Sequence, residues 1–315
     1  DWETIVNKIR AGKAHELSEG DTNYLGACTK GSNKNSLRSQ PRSEIPAMQR
    51  AFSLKPSYMT ALVRRYIQNK ELVSFVTADE LKKQSLEEII HSKFELYIGL
   101  TDEEIAQNLS VDYKPRNKSF VPNLVSSLLG IKGTRLDDIE EFAKANIQFK
   151  TIRLEPNGIP KESMSFETIN FNQWLNETWE ESYLRERFYE TKFLFVIFEF
   201  RQTIKENPNR KLYLKGIKLW NMPVHTIEIE IKHLWEEVNK IIREGIQIQY
   251  KKRGNNEIET NNLPKTKFNG VAHIRPKGQD GKDKILLPDG QKITKQCYWL
   301  NNSYIATIID DNFNQ

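Results

Sequence analysis

Cysteine is nearly absent from this chain of 315 residues, which contains only Cys28 and Cys297. The two are far apart in the sequence, so neither a disulfide framework nor a cysteine metal site is indicated, and a reduced cytoplasm is expected. No apolar run approaches the length of a membrane span, since the longest is FLFVIF at 193–198. A signal peptide is also missing, and the chain opens DWETIVNKI without an initiator methionine, which favours a fragment or a processed protein.

The composition is that of a globular protein, because 28% of the residues are charged and 10% are aromatic. The length suits one large domain or two small ones. A net charge of +5 and a pI near 8.9 are compatible with a nucleic-acid partner without requiring one.

Acidic residues are absent from residues 22–43, a segment rich in Gly, Ser and Asn. The same segment carries Lys30, Lys34, Arg38 and Arg42. This pattern predicts a basic loop, which is either a solvated linker or a loop that contacts phosphates.

Hydrophobic periodicity and capping residues predict a mixture of helices and strands. Helices are predicted over 1–12, 55–68, 77–99, 101–109, 121–131, 171–190 and 226–246. Strands are predicted over 147–154, 193–200, 213–223, 270–278 and 301–310, with a Pro-Asp-Gly turn between β-rich flanks in 284–300. Because these elements do not alternate as βαβ units, an α+β fold is favoured.

The stretch NIQFKTIRLE at 146–155 alternates as a strand and places Gln148 and Lys150 on one face. A magnesium nuclease presents a carboxylate and a lysine at this spacing, because the metal polarises the phosphate and the lysine stabilises developing charge. Here the carboxylate position is an amide, although Glu141 supplies an acid just upstream. The pattern fits either a nuclease core that has lost a metal ligand or an ordinary strand with a polar face.

The segment EFAKANIQFKTI at 141–152 resembles the core of the MutH family of GATC endonucleases. The resemblance places Glu141 at the family aspartate, Gln148 at the family glutamate and Lys150 at the catalytic lysine. A third family acid matches Glu95 in FELYIG, and a second lysine matches Lys192 before an apolar strand.

Near the C terminus, HIRPK at 273–277 resembles the recognition turn of the family, with Arg275 as the arginine that reads GATC bases and Lys277 beside it. The segment SEGDTNYLGACTKG at 18–31 further resembles GATC-cutting type II restriction endonucleases of the Sau type. Those enzymes have two MutH-like halves, of which the N-terminal half cleaves and the C-terminal half acts as a DNA-binding effector. This chain resembles the C-terminal half.

The resemblance implies a MutH-like α+β fold, with a mixed sheet flanked by helices and two lobes around a DNA cleft. One such domain would cover residues 1–315, with a basic loop and helices to about residue 110 and a nuclease-like core with a recognition lobe over about 111–315. The degenerate positions would be Glu95, Glu141, Gln148, Lys150 and Lys192.

The expected function is binding of a GATC duplex without cleavage, in the bacterial cytoplasm. DNA contacts are expected from Arg275, Lys277, Lys30, Lys34, Arg38 and Arg42. No metal is expected on this chain, whereas Mg²⁺ would serve the catalytic N-terminal half, which is the expected protein partner. Two alternatives stay open: an active magnesium nuclease that uses Glu141, Gln148 and Glu95, or a protein-docking domain without DNA affinity.

Overall fold

In a computed structural model of the chain, residues 1–30, 36–68, 71–254 and 256–309 are described. The helices are α1 Trp2–Arg10, α2 Pro56–Tyr66, α3 Ala78–Leu81, α4 Leu86–Glu95, α5 Asp102–Asn108, α6 Phe120–Leu128, α7 Glu140–Ala145, α8 Phe171–Asn176, α9 Tyr183–Glu190, α10 Val224–Thr226, α11 Lys232–Glu244 and α12 Asn302–Ile308. The strands are β1 Leu25–Thr29, β2 Leu37–Gln40, β3 Ser43–Met48, β4 Arg50–Leu54, β5 Ile147–Leu154, β6 Met164–Thr168, β7 Lys192–Phe200, β8 Leu212–Trp220, β9 Ile248–Arg253, β10 Asn256–Asn261, β11 Ala272–Pro276, β12 Lys284–Leu286, β13 Lys292–Thr294 and β14 Gln296–Leu300. This mixture is an α+β fold, as predicted.

The chain forms two compact units. The first unit comprises Asp1–Gly158 and Tyr189–Pro223, and the second comprises Ile159–Phe188 and the chain from Val224 to the last described residue. The predicted boundary near residue 110 does not match this division. The physical reason is that α4 and α5, before that position, share one apolar core with α6 and α7, after it.

A three-stranded sheet in the order β5-β7-β8 forms the centre of the first unit. Strand β7 is parallel to β5 and antiparallel to β8, and its apolar run is buried, as a central strand requires. Leu194, Val196 and Phe198 belong to the helical core on one face. On the other face Phe193 and Phe195 stack with Trp220.

The N-terminal part of the first unit contains two antiparallel strand pairs, β1 with β4 and β2 with β3. The acid-free segment 22–43, predicted as a loop, therefore contributes β1 and β2. This segment forms strands because its residues pair with partners on other strands. Ala27, for example, lies opposite Phe52. Pairing of this kind depends on distant residues and overrides the local Gly and Ser content.

The second unit is built on a sheet in the order β11-β14-β6, with the hairpins β9–β10 and β12–β13. Phe166, Phe188 and Tyr298 pack their rings together beside this sheet. The prediction of a strand over 301–310 is wrong, because the chain there forms α12. Ile305 and Ile308 are buried on one side of that helix, and this packing outweighs the strand preference of isoleucine and threonine.

Two predicted helices are interrupted. The segment 77–99 divides into α3 and α4, since Ser85 starts a new helix with a capping box to Glu88. The segment 171–190 divides into α8 and α9, where Trp179 between them is buried and donates to Glu228 at 2.7 Å. The long helix of 226–246 begins with a π-helical turn at Ile227–Ile231. None of the helices in the described ranges is long and apolar enough to cross a membrane.

A buried lysine connects the N-terminal segment of the first unit to its nuclease-like core. Lys55 is 1% exposed, and its Nζ donates to the carbonyl oxygens of Thr22 at 3.1 Å and Ala145 at 3.2 Å. Burial and, to a smaller extent, the positive charge of Lys192 lower the pKa of Lys55 to about 8, against the opposing effect of nearby carboxylates such as Glu19.

We therefore expect stability to rise between about pH 8 and the usual lysine pKa, because in that window the unfolded chain binds more protons at Lys55 than the folded chain does. The gain is at most about 3 kcal/mol. Urea unfolding at pH 7.5 and 9.5 measures it. Lys55→Met should flatten this pH dependence, whereas Lys82→Met, which changes an exposed lysine, should keep it. An unchanged pH dependence in Lys55→Met would contradict the assignment.

Candidate functional site

Gln148 and Lys150 lie on the same face of β5, as the alternation of a strand requires. The opposite face carries Ile147 and Phe149, which pack into the helical core. Both polar side chains line one cavity together with the start of α6 and the segment before α7. The structure therefore brings together the two residues that the sequence pattern singled out on this strand.

Glu141 does not join them at this cavity. Its carboxylate accepts hydrogen bonds from the hydroxyl of Ser74 and from the backbone N–H of Phe75, the latter at 3.4 Å. The side chain is buried, and burial raises the pKa of Glu141 even though these hydrogen bonds oppose the rise. The carboxylate of Glu141 is thus held by Ser74 and Phe75 and not by residues of the cavity.

Lys192 is the first residue of β7, and it pairs with a carboxylate inside the first unit. Its Nζ donates to Glu87 at 2.8 Å and to Asn23 at 2.9 Å, while Asn23 also donates to Glu87 at 3.3 Å. Burial opposes ionisation of Glu87, but the charge and hydrogen bond of Lys192 lower the pKa of Glu87 overall. Register places Lys192 beside Ile147, on the sheet face opposite to Gln148 and Lys150.

Glu95 lies apart from the other degenerate positions. It is the exposed last residue of α4, and α4 packs against β8, at the far edge of the sheet from β5. The helix that shares the cavity with Gln148 and Lys150 is α6 instead. Helix α6, with the sequence FVPNLVSSL, supplies no acidic residue to that cavity, and the acid that lines it is Asp137, in the segment before α7.

The positions that the family resemblance assigns to the metal do not fit a magnesium ion. Mg²⁺ is held by carboxylate, phosphate and water oxygens, and at least one carboxylate usually belongs to the protein. Gln148 offers an uncharged amide oxygen, Glu141 accepts a hydrogen bond from Ser74, and Glu95 lies elsewhere. The carboxylate that lines the cavity is that of Asp137, which lies at none of these positions. Among the residues that the structure describes, no group of three His, Cys, Asp or Glu side chains is arranged to hold a metal.

A second basic segment borders this cavity, and the analysis of the sequence missed it. Residues 113–135 contain five Lys and Arg residues but no Asp or Glu, namely Lys114, Arg116, Lys118, Lys132 and Arg135. Arg135 lines the cavity of Gln148 and Lys150, and Lys114 and Lys132 line a neighbouring one. The available signal was the absence of acids over 23 residues, the same signal that identified residues 22–43.

The predicted recognition turn lies at the end of β11 in the second unit. Arg275 belongs to this strand, Lys277 follows it, and both side chains are exposed. The guanidinium carbon of Arg275 lies 5.3 Å from the ring centroid of Trp299, and the Nζ of Lys277 lies 5.9 Å from it. Lys277 also donates to the hydroxyl of Ser165 at 2.6 Å. Trp299 thus orients two exposed cations side by side.

His273, in the same strand, has a different environment. It is buried, its Nδ1 lies 2.6 Å from the side-chain oxygen of Asn301, and burial lowers its pKa. Its ring stacks with that of Trp299, with the two ring centroids 6.4 Å apart.

The N-terminal basic residues are placed on strands and turns. Lys30 follows β1, Arg38 lies in β2, and Arg42 lies in the turn before β3, all three exposed. The guanidinium of Arg38 donates to the carbonyl oxygen of Leu37 at 3.0 Å. Lys34 lies outside the described residues.

Comparison with known proteins relates these features to a family. The family model of the DNA mismatch repair enzyme MutH matches residues 135–233, which include β5 and β7. The type II restriction enzyme Sau3AI of Staphylococcus aureus is 34% identical over 99% of this chain and 69% of that enzyme.

Two MutH mismatch repair proteins are more distant relatives. The protein of Pasteurella multocida is 26% identical over 58% of this chain and 75% of its own length. That of Actinobacillus pleuropneumoniae serotype 3 is 26% identical over 71% of this chain and 93% of its own length. With its α+β architecture and its nuclease-like strand β5, the chain belongs to the MutH-like family of type II restriction endonucleases.

Proposed function

We propose that this chain is a GATC-binding effector module of a type II restriction endonuclease and that it does not cleave DNA by itself. The observation that carries the proposal is the contrast between two sites. The exposed pair Arg275 and Lys277 is oriented by Trp299 for contact with a partner, whereas Glu141 and Lys192 are each engaged with other residues of the first unit.

Specific recognition is assigned to Arg275. An arginine can donate two hydrogen bonds to O6 and N7 of guanine in the major groove, and each half of a GATC site offers one guanine. The side chain is exposed beside an aromatic ring that limits its rotamers, which lowers the entropy lost on binding.

Contacts to the DNA backbone are assigned to the two acid-free basic segments of the first unit. Residues 22–43 contribute Lys30, Lys34, Arg38 and Arg42, and residues 113–135 contribute five more cations. Such contacts carry no sequence information, but they raise affinity and make it fall steeply with salt. Lys150, which lines a cavity with the uncharged Gln148 and with Arg135 and Asp137, is a further candidate for a phosphate contact.

A chain that binds a GATC site and does not cleave it can act as an effector of a catalytic partner. In this proposal the protein partner is a catalytic MutH-like half of the same enzyme, which uses Mg²⁺, in the bacterial cytoplasm. Occupancy of a GATC site by this chain would favour cleavage by that half, either within one molecule or by bridging two sites.

Arg275→Ala should weaken binding to a GATC duplex by about 1–3 kcal/mol and should weaken binding to a scrambled duplex less. The reason is the loss of a base contact that only the GATC sequence offers. Fluorescence anisotropy with both duplexes measures the difference. Arg243→Ala is the control, because Arg243 is also an exposed arginine of the second unit, on α11. Equal losses on the two duplexes would remove Arg275 from sequence recognition.

Gln148→Glu restores the family glutamate, yet we expect no magnesium-dependent cleavage from it, because Glu141 stays bound to Ser74 and Lys192 to Glu87. The new carboxylate beside Lys150 should instead repel the duplex and weaken binding in EDTA. Gln148→Ala, which removes the amide without adding charge, is the control. A plasmid-nicking gel and anisotropy provide the two readouts, and nicking at GATC by Gln148→Glu would show that the metal site is intact apart from this one residue.

A further inference from the structure

The hairpin of β9 and β10 has two chemically different faces. Its register pairs Tyr250 with Glu259 and Lys252 with Glu257, and it pairs Lys251 with Ile258. Since paired residues of an antiparallel ladder point to the same side, both glutamates of the hairpin lie on one face. We call this the inner face and the face of Lys251 and Ile258 the outer face.

The inner face is attached to the neighbouring hairpin β12–β13. Glu259 accepts a hydrogen bond from the Nζ of Lys284 at 2.9 Å and from the backbone N–H of Thr294 at 2.8 Å. Burial opposes ionisation of Glu259, but the hydrogen bonds from Lys284 and Thr294 lower its pKa overall. Lys284 also donates to the hydroxyl of Tyr250 at 3.1 Å. These contacts hold the inner face of the β9–β10 hairpin against β12–β13. The outer face is on the opposite side of the ribbon.

The outer face carries no carboxylate among its described side chains. Gln249 and Lys251 on β9 are exposed, as is Ile258 on β10, and Thr260 is half-buried. An amide, an ammonium, a hydroxyl and an exposed apolar group are the chemical types with which proteins contact base edges, phosphates and the thymine methyl group.

The hairpin belongs to the same part of the second unit as the recognition turn. The backbone N–H of Lys277 donates to the carbonyl oxygen of Lys295 at 2.8 Å, and Lys295 forms an ion pair with Asp283 at 2.7 Å. Lys295 directly follows β13, to which Glu259 attaches the hairpin through Thr294. A continuous set of hydrogen bonds therefore connects the hairpin to the turn.

We propose that the outer face of the β9–β10 hairpin is a second contact surface for duplex DNA. A two-stranded antiparallel ribbon fits the width of the major groove or follows the backbone beside it. Lys251 supplies the phosphate contact, and Gln249, Ile258 and Thr260 supply short contacts around it. The inference rests on the proposed DNA-binding function and adds a surface to it.

Neighbouring lysines on β9 allow a matched test. Lys251 lies on the outer face and Lys252 on the inner face, and both are exposed. Lys251→Ala should weaken binding of GATC and scrambled duplexes alike, by about five-fold near 0.1 M salt, and should reduce the slope of log affinity against log salt by about one. Lys252→Ala should leave affinity and slope near those of the wild type. Anisotropy titrations at several salt concentrations measure both.

A variant that gains affinity for DNA tests whether the loss in Lys251→Ala is due to misfolding of the hairpin. Ile258→Lys adds a cation to the outer face beside Lys251, and it should tighten binding and raise the salt slope by about one. If the wild type binds DNA but Lys251→Ala and Lys252→Ala behave alike, the surface proposal fails and the proposed function stands. If the wild type binds no duplex, the proposed function fails as well.

Discussion

The contact of Lys192 with Glu87 and Asn23 is the interaction on which the arrangement of the first unit depends. It joins the start of the central strand β7 to α4 and to the segment before β1. A buried lysine needs a partner charge or hydrogen-bond acceptors, and here Glu87 and Asn23 provide both inside the unit. Lys192 is therefore held by contacts within the first unit. The family resemblance gave Lys192 a catalytic position, and the structure gives it a structural contact.

The positions that the resemblance assigns to a metal site depart from the family pattern in several independent ways. Position 148 has lost its charge, Glu141 is bonded to Ser74 and Phe75, and α6 presents no acid. Each change alone would weaken a magnesium site, because the ion needs charged oxygen ligands at short range. The cationic surfaces that would hold DNA are present, in residues 113–135 and around Arg275. Under the proposed function, DNA contact and metal chemistry are separable properties of this fold.

Local patterns in the sequence predicted much of the fold. The alternation of β5 and the apolar run of β7 were placed within one residue, because both depend on period-two patterns that lie within the strands. The helix α12 was predicted as a strand, since only the surrounding core shows that Ile305 and Ile308 are buried together.

The site was less predictable, because its important contacts join distant residues. Glu87 and Lys192 are 105 positions apart, and no spacing rule connects them. The resemblance matches Glu95 on α4 to a family acid, but the helix beside Gln148 and Lys150 is α6, and only the folded chain shows this. The basic segment 113–135 can be recognised in the sequence because it lacks Asp and Glu. The same feature predicts the basic segment 22–43.

The most direct test of the central claim is the binding of the wild-type chain to a GATC duplex and to a scrambled duplex, with EDTA and with magnesium, followed by electrophoresis of the same DNA. We expect tighter binding to the GATC duplex than to the scrambled duplex, equal affinity with and without magnesium, and intact DNA after incubation. Magnesium-dependent binding followed by nicking at GATC would contradict that claim, because the chain would then hold a metal that its described residues do not fit.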